Sequence, residues 1–507
     1  MRANHRRTVA IGLLLAVASG LLMAAAIPLY LGLWPLAFVA LVPAIVAGYR
    51  LMPRGFSGAP MGVAWAIYWL AWGLLSIQIS PLWVFFVAAA VFGCIGALIS
   101  AFDRRLAGLT GYRFFLLQLP VTWTAFDVLW QENLLTGGEG EYSALVAPAI
   151  PLLQPMSIVG QAGLTFWLVM VNCAIALLVM GWLDSRHESP WTPKIPTRSL
   201  MEVFTTTAVV SVAWVVAGAL IFTLVTTTQG PPVRVAAIQI GPGLGIDAAG
   251  VGADTPESRA VLTRMSKEAA AQGAKLAVWG EHVLGWDPRK DPEQFVQRTA
   301  RETGMYLVVG WSEGEGWTAS NVVGLWDPKG DLVGVYYKIH PVIMAGEGFE
   351  QPIRYPVFET DLGPISMIIC FDFSFEAPAR QMANGGARLM AAAVEDWSGY
   401  APMRIPTVQL RAAENRVPFI KSEVLNASAI VDATGTVLAS ADKGWEGGQA
   451  LLVADVPLGP IDAPFSNLGP LFGYLCVFLL AMRILFQVRL EWIARRGKDG
   501  PAPEGAD

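Results

Sequence analysis

The chain has 507 residues, of which 54% are hydrophobic and 15% are charged, and its mean hydropathy is +0.48. Soluble globular proteins carry more charge than this, so the composition predicts a membrane protein. The net charge of −5 offers no basic face to nucleic acid, and we expect no nucleic-acid partner.

Apolar runs divide the chain, several of them close to the roughly 20 residues that a helix needs to cross a bilayer. Eight runs are predicted to span the membrane, at residues 8–28, 32–50, 60–80, 82–102, 113–131, 160–183, 203–226 and 464–488. The first run could pass for a secretory signal, but a second follows at once, so we interpret it as an uncleaved anchor. The predicted domains are a membrane domain of seven helices at 1–226, a soluble domain at 233–458, an eighth membrane helix at 464–488 and a cytoplasmic tail at 489–507.

Positive residues fall in alternate loops, and short cytoplasmic loops of membrane proteins hold the excess of Lys and Arg. They precede the first span and follow the second, fourth and sixth, as Arg2, Arg6, Arg7, Arg50, Arg54, Arg104, Arg105, Arg113, Arg186, Lys194 and Arg198. The loop after the fifth span carries Glu132, Glu139 and Glu141 and has no Lys or Arg. This alternation predicts that residues 227–463 lie outside the cytoplasm.

Between residues 233 and 458 strand-like runs alternate with helical ones, which indicates an α/β domain. The strand-like runs are 233–240, 275–279, 306–311, 322–326, 332–338, 364–370 and 387–394, and the helical runs are 255–272, 291–303, 375–384 and 401–416. Two helical runs open on a capping residue followed by proline, Thr255-Pro256 and Asp291-Pro292, which marks a helix start.

Three residues that can do chemistry stand where predicted strands end: Glu281, Lys338 and Cys370. Cys370 is the one cysteine outside the apolar runs, and it is either a buried bystander or a reactive thiol. A thiol needs a base to become a nucleophile, and a carboxylate in an apolar pocket can serve near neutral pH. The oxyanion formed on attack at a carbonyl needs positive charge, which a Lys ammonium and the backbone N–H of Phe371 could provide. Taken singly, the carboxylate and the ammonium also suit solvated strand ends.

Two histidines, His282 and His340, invite a different chemistry. They lack the paired spacing of zinc ligands, so we expect no metal ion, and we expect no other cofactor. His340 as the base for Cys370 remains an alternative, although no third residue to orient it is evident.

The segments GAKLAVWGE, YYK and IICFDFSFEAPAR follow one another in an order that resembles the Glu, Lys and Cys segments of the nitrilase, or carbon–nitrogen hydrolase, superfamily. Within it, GLWPLAFVALVP and PLLQPMSIVGQAGLTFWLVMVN in the membrane portion resemble the apolipoprotein N-acyltransferase family. The resemblance covers nearly the whole chain. It implies an αββα sandwich outside a bacterial cytoplasmic (inner) membrane.

The same resemblance implies an acyltransferase that moves a fatty acyl group from a membrane phospholipid, through a Cys thioester, to the N-terminal α-amine of a diacylglyceryl-cysteine lipoprotein. In it Glu281 would be general base and acid, Lys338 would stabilise the oxyanion and Cys370 would be the nucleophile. Candidates for further oxyanion contacts or for support of these three are Phe371, Asp372, Glu347 and Glu414. The alternative function is that of a membrane-tethered amidase or related C–N hydrolase of the same superfamily.

Apolar residues lie in the segments that connect predicted elements near these positions. Beside a membrane, such segments indicate a portal for acyl chains, and packing on the domain's own core is the alternative. The candidate portal residues are Trp286, Val342, Ile343, Met344 and Trp397.

Overall fold

The N-terminal part of the chain folds into helices, because helices satisfy backbone polar groups internally where water is absent. The computed structural model describes residues 2–77, 80–133, 137–186, 192–243, 255–314, 320–343, 347, 353–458 and 463–496. The helices of this part are α1 (Arg2–Ala26), α2 (Val42–Val46), α3 (Ala59–Leu75), α4 (Leu82–Thr110), α5 (Phe115–Gln131), α6 (Ile150–Leu153), α7 (Met156–Arg186) and α8 (Thr197–Thr228).

Within the described residues, 7 helical segments are long and apolar enough to cross a membrane. They are Arg6–Ala26, Trp34–Leu51, Arg54–Leu75, Leu82–Thr110, Met156–Arg186, Thr197–Thr228 and Leu471–Ile493. The eight predicted spans therefore exceed this set by one. The difference is the run at 113–131, which forms α5, a helix of 17 residues with Pro120 inside and with Gln118 and Asp127 buried. It packs between α7 and the C-terminal helix.

After α8 the chain forms two β-sheets. The strands are β1 (Pro232–Gln239), β2 (Leu276–Trp279), β3 (Tyr306–Glu313), β4 (Ser320–Trp326), β5 (Leu332–Tyr337), β6 (Ile365–Ile369), β7 (Leu389–Val394), β8 (Phe419–Glu423), β9 (Ser428–Val431), β10 (Val437–Ala441) and β11 (Ala450–Pro457). The first sheet has the order β11-β1-β2-β3-β4-β5 and the second the order β10-β9-β8-β7-β6. Strands β1, β2 and β3 run parallel, as do β6, β7 and β8.

Helices cover the outer face of each sheet. They are α9 (Pro256–Ala271), α10 (Phe295–Thr303), α11 (Glu376–Asn384) and α12 (Arg404–Asn415). One apolar core lies between the two sheets, with Val308 and Met367 among its members, and another lies between the first sheet and α9 and α10, with Leu262 and Val296. The predicted αββα sandwich beside a helical membrane domain is thus confirmed.

One predicted helix start was wrong. The run expected to begin at Asp291 becomes helical at Phe295. The Asp291 carboxylate accepts hydrogen bonds from the backbone N–H groups of Glu293 and Phe295, at 3.0 and 2.9 Å, so it closes a turn ahead of the helix. At the other predicted start, Thr255 caps α9 by accepting from the Ser258 N–H.

The membrane helices and the sandwich meet where α7 breaks. Gly160 has a φ of 73°, and a Cβ there would lie 2.5 Å from the Phe465 ring, so this position requires glycine. The break frees the backbone N–H of Gln161, which donates to Glu414 of α12 at 2.7 Å. Two further helices, α13 (Pro464–Leu468) and α14 (Leu471–Arg496), return the chain beside α5 and α7.

Candidate active site

Glu281 follows β2 and its side chain is buried among hydrogen-bond donors. One carboxylate oxygen accepts from the Lys338 ammonium at 2.9 Å and from the Asn321 amide at 2.6 Å, and the other accepts from the backbone N–H of Glu395 at 2.9 Å. A carboxylate offers about four lone-pair sites, so these three donors leave room for one more proton. The carboxylate is fixed in place yet still able to accept.

Lys338 directly follows β5 and is clamped between two carboxylates. Its ammonium lies 2.9 Å from an oxygen of Glu281 and 2.9 Å from an oxygen of Glu347. Burial alone would lower the pKa of Lys338, but the two carboxylates raise it well above its usual value. The same attraction, aided by the Val342 N–H, lowers the pKa of Glu347 to about 2 although burial opposes this. The pair therefore stays charged at neutral pH.

Cys370 follows β6 and opens a 3₁₀ turn, Cys370–Ser374. Its φ of 38° is in the left-handed region, which costs energy for a residue with a side chain and often occurs at functional sites. The thiol sulfur lies 3.7 Å from a carboxylate oxygen of Asp396 and 3.9 Å from the Glu395 carbonyl oxygen. The strained turn therefore directs the buried thiol towards the Glu395 carbonyl and the Asp396 carboxylate.

Charges around Cys370 oppose one another. Burial raises the pKa of its thiol well above the usual value, and the carboxylates of Asp396 and Glu281 raise it further, whereas Lys338 and Arg404 lower it. The resting thiol is therefore protonated, and it can become a nucleophile only if a neighbouring base removes the proton when a substrate binds.

Asp372 joins the Cys370 turn to the chain after Lys338. Its buried carboxylate accepts from the Tyr336 hydroxyl at 2.7 Å and from the backbone N–H and ring Nδ1 of His340 at 2.7 and 2.9 Å. The His340 ring also stacks on Phe375, with centroids 3.7 Å apart. These contacts fix the position of one strand end against the other, and they engage Nδ1 of His340 with Asp372.

Glu414 lies where α12 contacts the membrane helix α7, away from the Glu281 and Lys338 pair. Besides accepting from Gln161 of α7, it accepts from Arg411 at 2.5 Å. Arg411 in turn donates to the carbonyl oxygens of Phe373 and Ser374, at 3.2 and 3.3 Å. Glu414 thus supports the Cys370 turn through Arg411. Phe371 is buried within that turn, next to the nucleophile candidate.

One group of described residues could hold a metal ion: the ligand atoms of Glu281, His282 and Glu347 lie within 4.8 Å of one another. The Lys338 ammonium already occupies the space between the two carboxylates, and a divalent cation there would repel it. His282 instead faces Glu395, with Nδ1 3.3 Å from a carboxylate oxygen. The donor set therefore suits a lysine counter-ion better than a metal.

The candidate portal residues are only partly assembled. Four of them are half-buried, namely Trp286, Val342, Ile343 and Trp397, whereas Met344 lies outside the described residues. Trp286 packs on the core beneath α9 and α10, and the Arg259 guanidinium lies 4.8 Å above its ring. For Trp286 the structure favours packing on the domain's own core, and the portal remains a prediction.

Five residues at this site were not singled out from the sequence as chemical groups: Asn321, Glu395, Asp396, Arg404 and Glu139. The acidic pair Glu395-Asp396 follows β7, as Glu281 follows β2, and that shared position was a signal that could have found it. The remaining three come from a strand, a helix and a membrane-domain loop with no local motif.

Comparisons with known proteins found two family models, several relatives and several solved structures that are similar to this chain. The family model described as carbon-nitrogen hydrolase matches residues 234–463, and the one described as apolipoprotein N-acyltransferase N-terminal domain matches residues 19–174. An apolipoprotein N-acyltransferase of Geobacter metallireducens is 26% identical over 92% of this chain and 93% of its own length. One of Rhodopseudomonas palustris is 23% identical over 90% and 91%. A solved amidase structure from Nesterenkonia sp. shares 23% identity, covers 45% of this chain and 92% of that one, and has a TM-score of 0.37.

Sheet order, site and family models together define the class: a carbon–nitrogen hydrolase domain joined to a multi-span membrane domain. Both family models match this chain, and three relatives that align with 88–92% of it are named apolipoprotein N-acyltransferase. The chain belongs to the apolipoprotein N-acyltransferase family of the nitrilase superfamily. It is an acyltransferase and a bacterial multi-pass membrane protein.

Proposed function

We propose that this protein transfers a fatty acyl group from a membrane phospholipid to the N-terminal α-amine of a diacylglyceryl-cysteine lipoprotein, through a thioester on Cys370. The observation that carries the proposal is the buried cluster of Glu281, Lys338 and Cys370, in which a carboxylate, an ammonium and a thiol interact at the ends of three strands. Relatives matched over nearly their whole length carry the name of this activity.

In the first step Glu281 takes the thiol proton of Cys370 and the thiolate attacks the ester carbonyl of the phospholipid. The charge that develops on the carbonyl oxygen is stabilised by the Lys338 ammonium and the backbone N–H of Phe371. When the intermediate collapses, the C–O bond breaks and Glu281 returns its proton to the departing lysophospholipid alcohol. A thioester remains on Cys370.

In the second step the α-amine of the acceptor attacks the thioester. Glu281 takes a proton from the attacking nitrogen, the same two donors hold the oxyanion, and the C–S bond breaks. The released thiolate recovers its proton, which restores the resting site. The amide that forms is more stable than the thioester, so the chemistry runs towards transfer.

The site would lie at the outer face of the bacterial inner membrane. The alternation of Lys and Arg among the loops supports this side, because cytoplasmic loops hold the positive excess. Contacts between the Cys370 turn and the membrane domain support a position at the lipid boundary, where Val342, Ile343 and Trp397 would guide acyl chains.

The test of the chemistry is intact mass of the purified protein with phospholipid. We expect an acyl adduct on wild type and none on Cys370→Ala. Adding a diacylglyceryl peptide with a free α-amine should discharge the adduct, whereas the same peptide with its amine acetylated should not. Rapid loss of the adduct in buffer alone would instead favour the hydrolase of the amidase type.

The test of topology is labelling with a membrane-impermeant thiol reagent in a background with the lipid-exposed Cys94 replaced. We expect a cysteine at the exposed Lys329 to be labelled in intact cells and cysteines at Arg105 and Arg186 to be protected. Labelling of Arg105→Cys and Arg186→Cys but not of Lys329→Cys would reverse the proposed orientation.

A further inference from the structure

A membrane-domain loop, residues 137–141, presses against the turn that bears the candidate nucleophile. A Cβ on Gly137 would lie 2.9 Å from the Ser374 Cβ, so the two backbones approach closely. The loop is anchored behind this contact, because its carbonyl oxygens accept from the Trp130 indole at 3.1 Å and the Tyr68 hydroxyl at 3.0 Å. Both anchoring side chains belong to membrane-domain helices, so the position of these helices determines where the loop contacts the turn.

Glu139 is the side chain that this loop extends into the catalytic domain. It accepts hydrogen bonds from the Ser374 hydroxyl at 2.9 Å and from the Tyr400 hydroxyl at 2.5 Å, and it forms an ion pair with Arg404. Three donors from the catalytic domain therefore converge on one carboxylate from the membrane domain. Removing one partner of a buried, hydrogen-bonded ion pair leaves the other charge uncompensated.

Arg404 connects this carboxylate to the nucleophile. It is 1% exposed, it donates to the Cys370 carbonyl oxygen at 3.2 Å and to the Ser374 hydroxyl at 2.6 Å, and its guanidinium lies 4.3 Å from the Phe373 ring centroid. Its Nε is 3.3 Å from one oxygen of Asp396, and the other oxygen of Asp396 is 3.7 Å from the thiol sulfur. Arg404 thus holds the nucleophile's backbone and faces the acid beside its sulfur.

We propose that Glu139 is a positioning residue for the nucleophile: by holding Arg404 it fixes the Cys370 turn, so the membrane domain completes the catalytic site. The inference rests on the proposed function only in taking Cys370 as the nucleophile. Without Glu139, the Arg404 guanidinium moves towards the carboxylate that remains within reach, that of Asp396. It then no longer donates to the Cys370 carbonyl oxygen. The left-handed backbone at Cys370 then loses a contact that maintains its strain.

The test measures the rate constant of Cys370 acylation in the full-length protein, using phospholipid and, separately, a p-nitrophenyl ester of a fatty acid. With the ester, the S–C bond forms, the C–O bond breaks and p-nitrophenol leaves with the thiol proton, so the burst counts active sites without reference to the natural donor. We expect Glu139→Gln to slow acylation per active site by about tenfold to a hundredfold, as for loss of a charged hydrogen-bond acceptor. Glu139→Asp should recover part of the rate.

The matched control is Glu132→Gln, which neutralises an exposed acid of the same connection and should change the rate less than about twofold. Glu139→Gln and Arg404→Lys combined should be no slower than the slower single variant, since both act through one contact. A variant that unfolds is recognised by a reduced burst amplitude and melting temperature.

Two results would overturn the inference alone: wild-type rate constants in Glu139→Gln, or a loss confined to burst amplitude with the rate constant unchanged. A wild type that acylates with neither donor would instead overturn the proposed function, and the inference with it.

Discussion

Two buried groups of charge in this molecule are built differently. At the ends of two membrane helices, Arg50 donates to both carboxylate oxygens of Asp184 at 2.9 Å, and its third nitrogen donates to the Tyr112 and Thr192 hydroxyls. At the candidate active site, one ammonium lies 2.9 Å from each of two carboxylates and beside a thiol. The first group matches one cation to one anion, whereas the second gathers more acids than the lysine can neutralise.

That difference separates a structural ion pair from a reactive one. A matched pair has a single favourable arrangement, and its value lies in fixing where two helices meet. An excess of acid around a thiol keeps the thiol protonated at rest and supplies a base that can take its proton, so the arrangement favours a change of state. Variants in the two groups should therefore affect different measurements.

The largest expected effect is at Cys370. Replacing it with Ala should reduce acyl transfer to background, a loss of about 10⁴-fold or more, because the covalent route disappears. Thioester formation by intact mass and transfer to a diacylglyceryl peptide are the measurements. Cys173→Ala, at a buried thiol of the membrane domain, is the control and should retain the rate constant with some loss of stability. Full activity in Cys370→Ala would end the covalent proposal.

Lys338→Ala removes the cation of the reactive group. Removing the ammonium should lower the acylation rate constant by about 10²–10³-fold, as for loss of one oxyanion donor, while some thiolate chemistry persists. Glu281→Gln should instead block acylation, because no base remains to take the thiol proton. Single-turnover acylation and reaction with a thiol probe across pH distinguish the two. Equal thiol labelling of wild type and Glu281→Gln at every pH would contradict the base role.

At the matched pair the expected loss is of stability. Asp184→Ala leaves the buried Arg50 charge without its carboxylate partner and should cost about 3–5 kcal/mol of the free energy of unfolding. The acylation rate constant per active site should be unchanged. Removing both charges, as Arg50→Met with Asp184→Leu, should cost less than Asp184→Ala alone. Thermal unfolding in detergent gives the stability. A fall in the rate constant with unchanged stability would place this pair in the catalytic mechanism.

Much of this architecture was predictable because it depends on local patterns in the sequence. Seven spans and the alternation of strands and helices follow from hydropathy and periodicity. The chemical candidates Glu281, Lys338 and Cys370 were predictable for a related reason, since Lys338 and Cys370 stand directly after strands and Glu281 stands two residues after one. Strand position alone does not predict that the three residues meet, because β2 and β5 belong to one sheet and β6 to the other, and the resemblance to the nitrilase superfamily supplied that expectation.

The rest depends on contacts between distant segments. Glu139 and Arg404 are 265 residues apart along the chain, and nothing in either segment signals the other. The helix start misplaced at Asp291 shows the same limit at short range, because a capping residue followed by proline also suits the turn that Asp291 closes. The run at 113–131 forms α5, a helix of 17 residues that packs against α7 and α14 and accommodates Pro120 and Asp127.

The smallest expected effect is a pH dependence confined to the reactive group. Burial raises the pKa of Glu395 from 4.5 to about 7, with His282 opposing the shift. The folded state therefore holds this proton more tightly than the unfolded state, so the stability it contributes is complete below pH 4.5 and is lost as the pH rises to about 7. The Gln side chain in Glu395→Gln cannot ionise, so the melting temperature of this variant should depend less on pH in this window than that of wild type. The difference should correspond to about 1–3 kcal/mol of the free energy of unfolding. The control is Glu257→Gln, at an exposed position of α9. Matching pH profiles of the melting temperature for wild type and Glu395→Gln would show that the excess of acid does not affect stability.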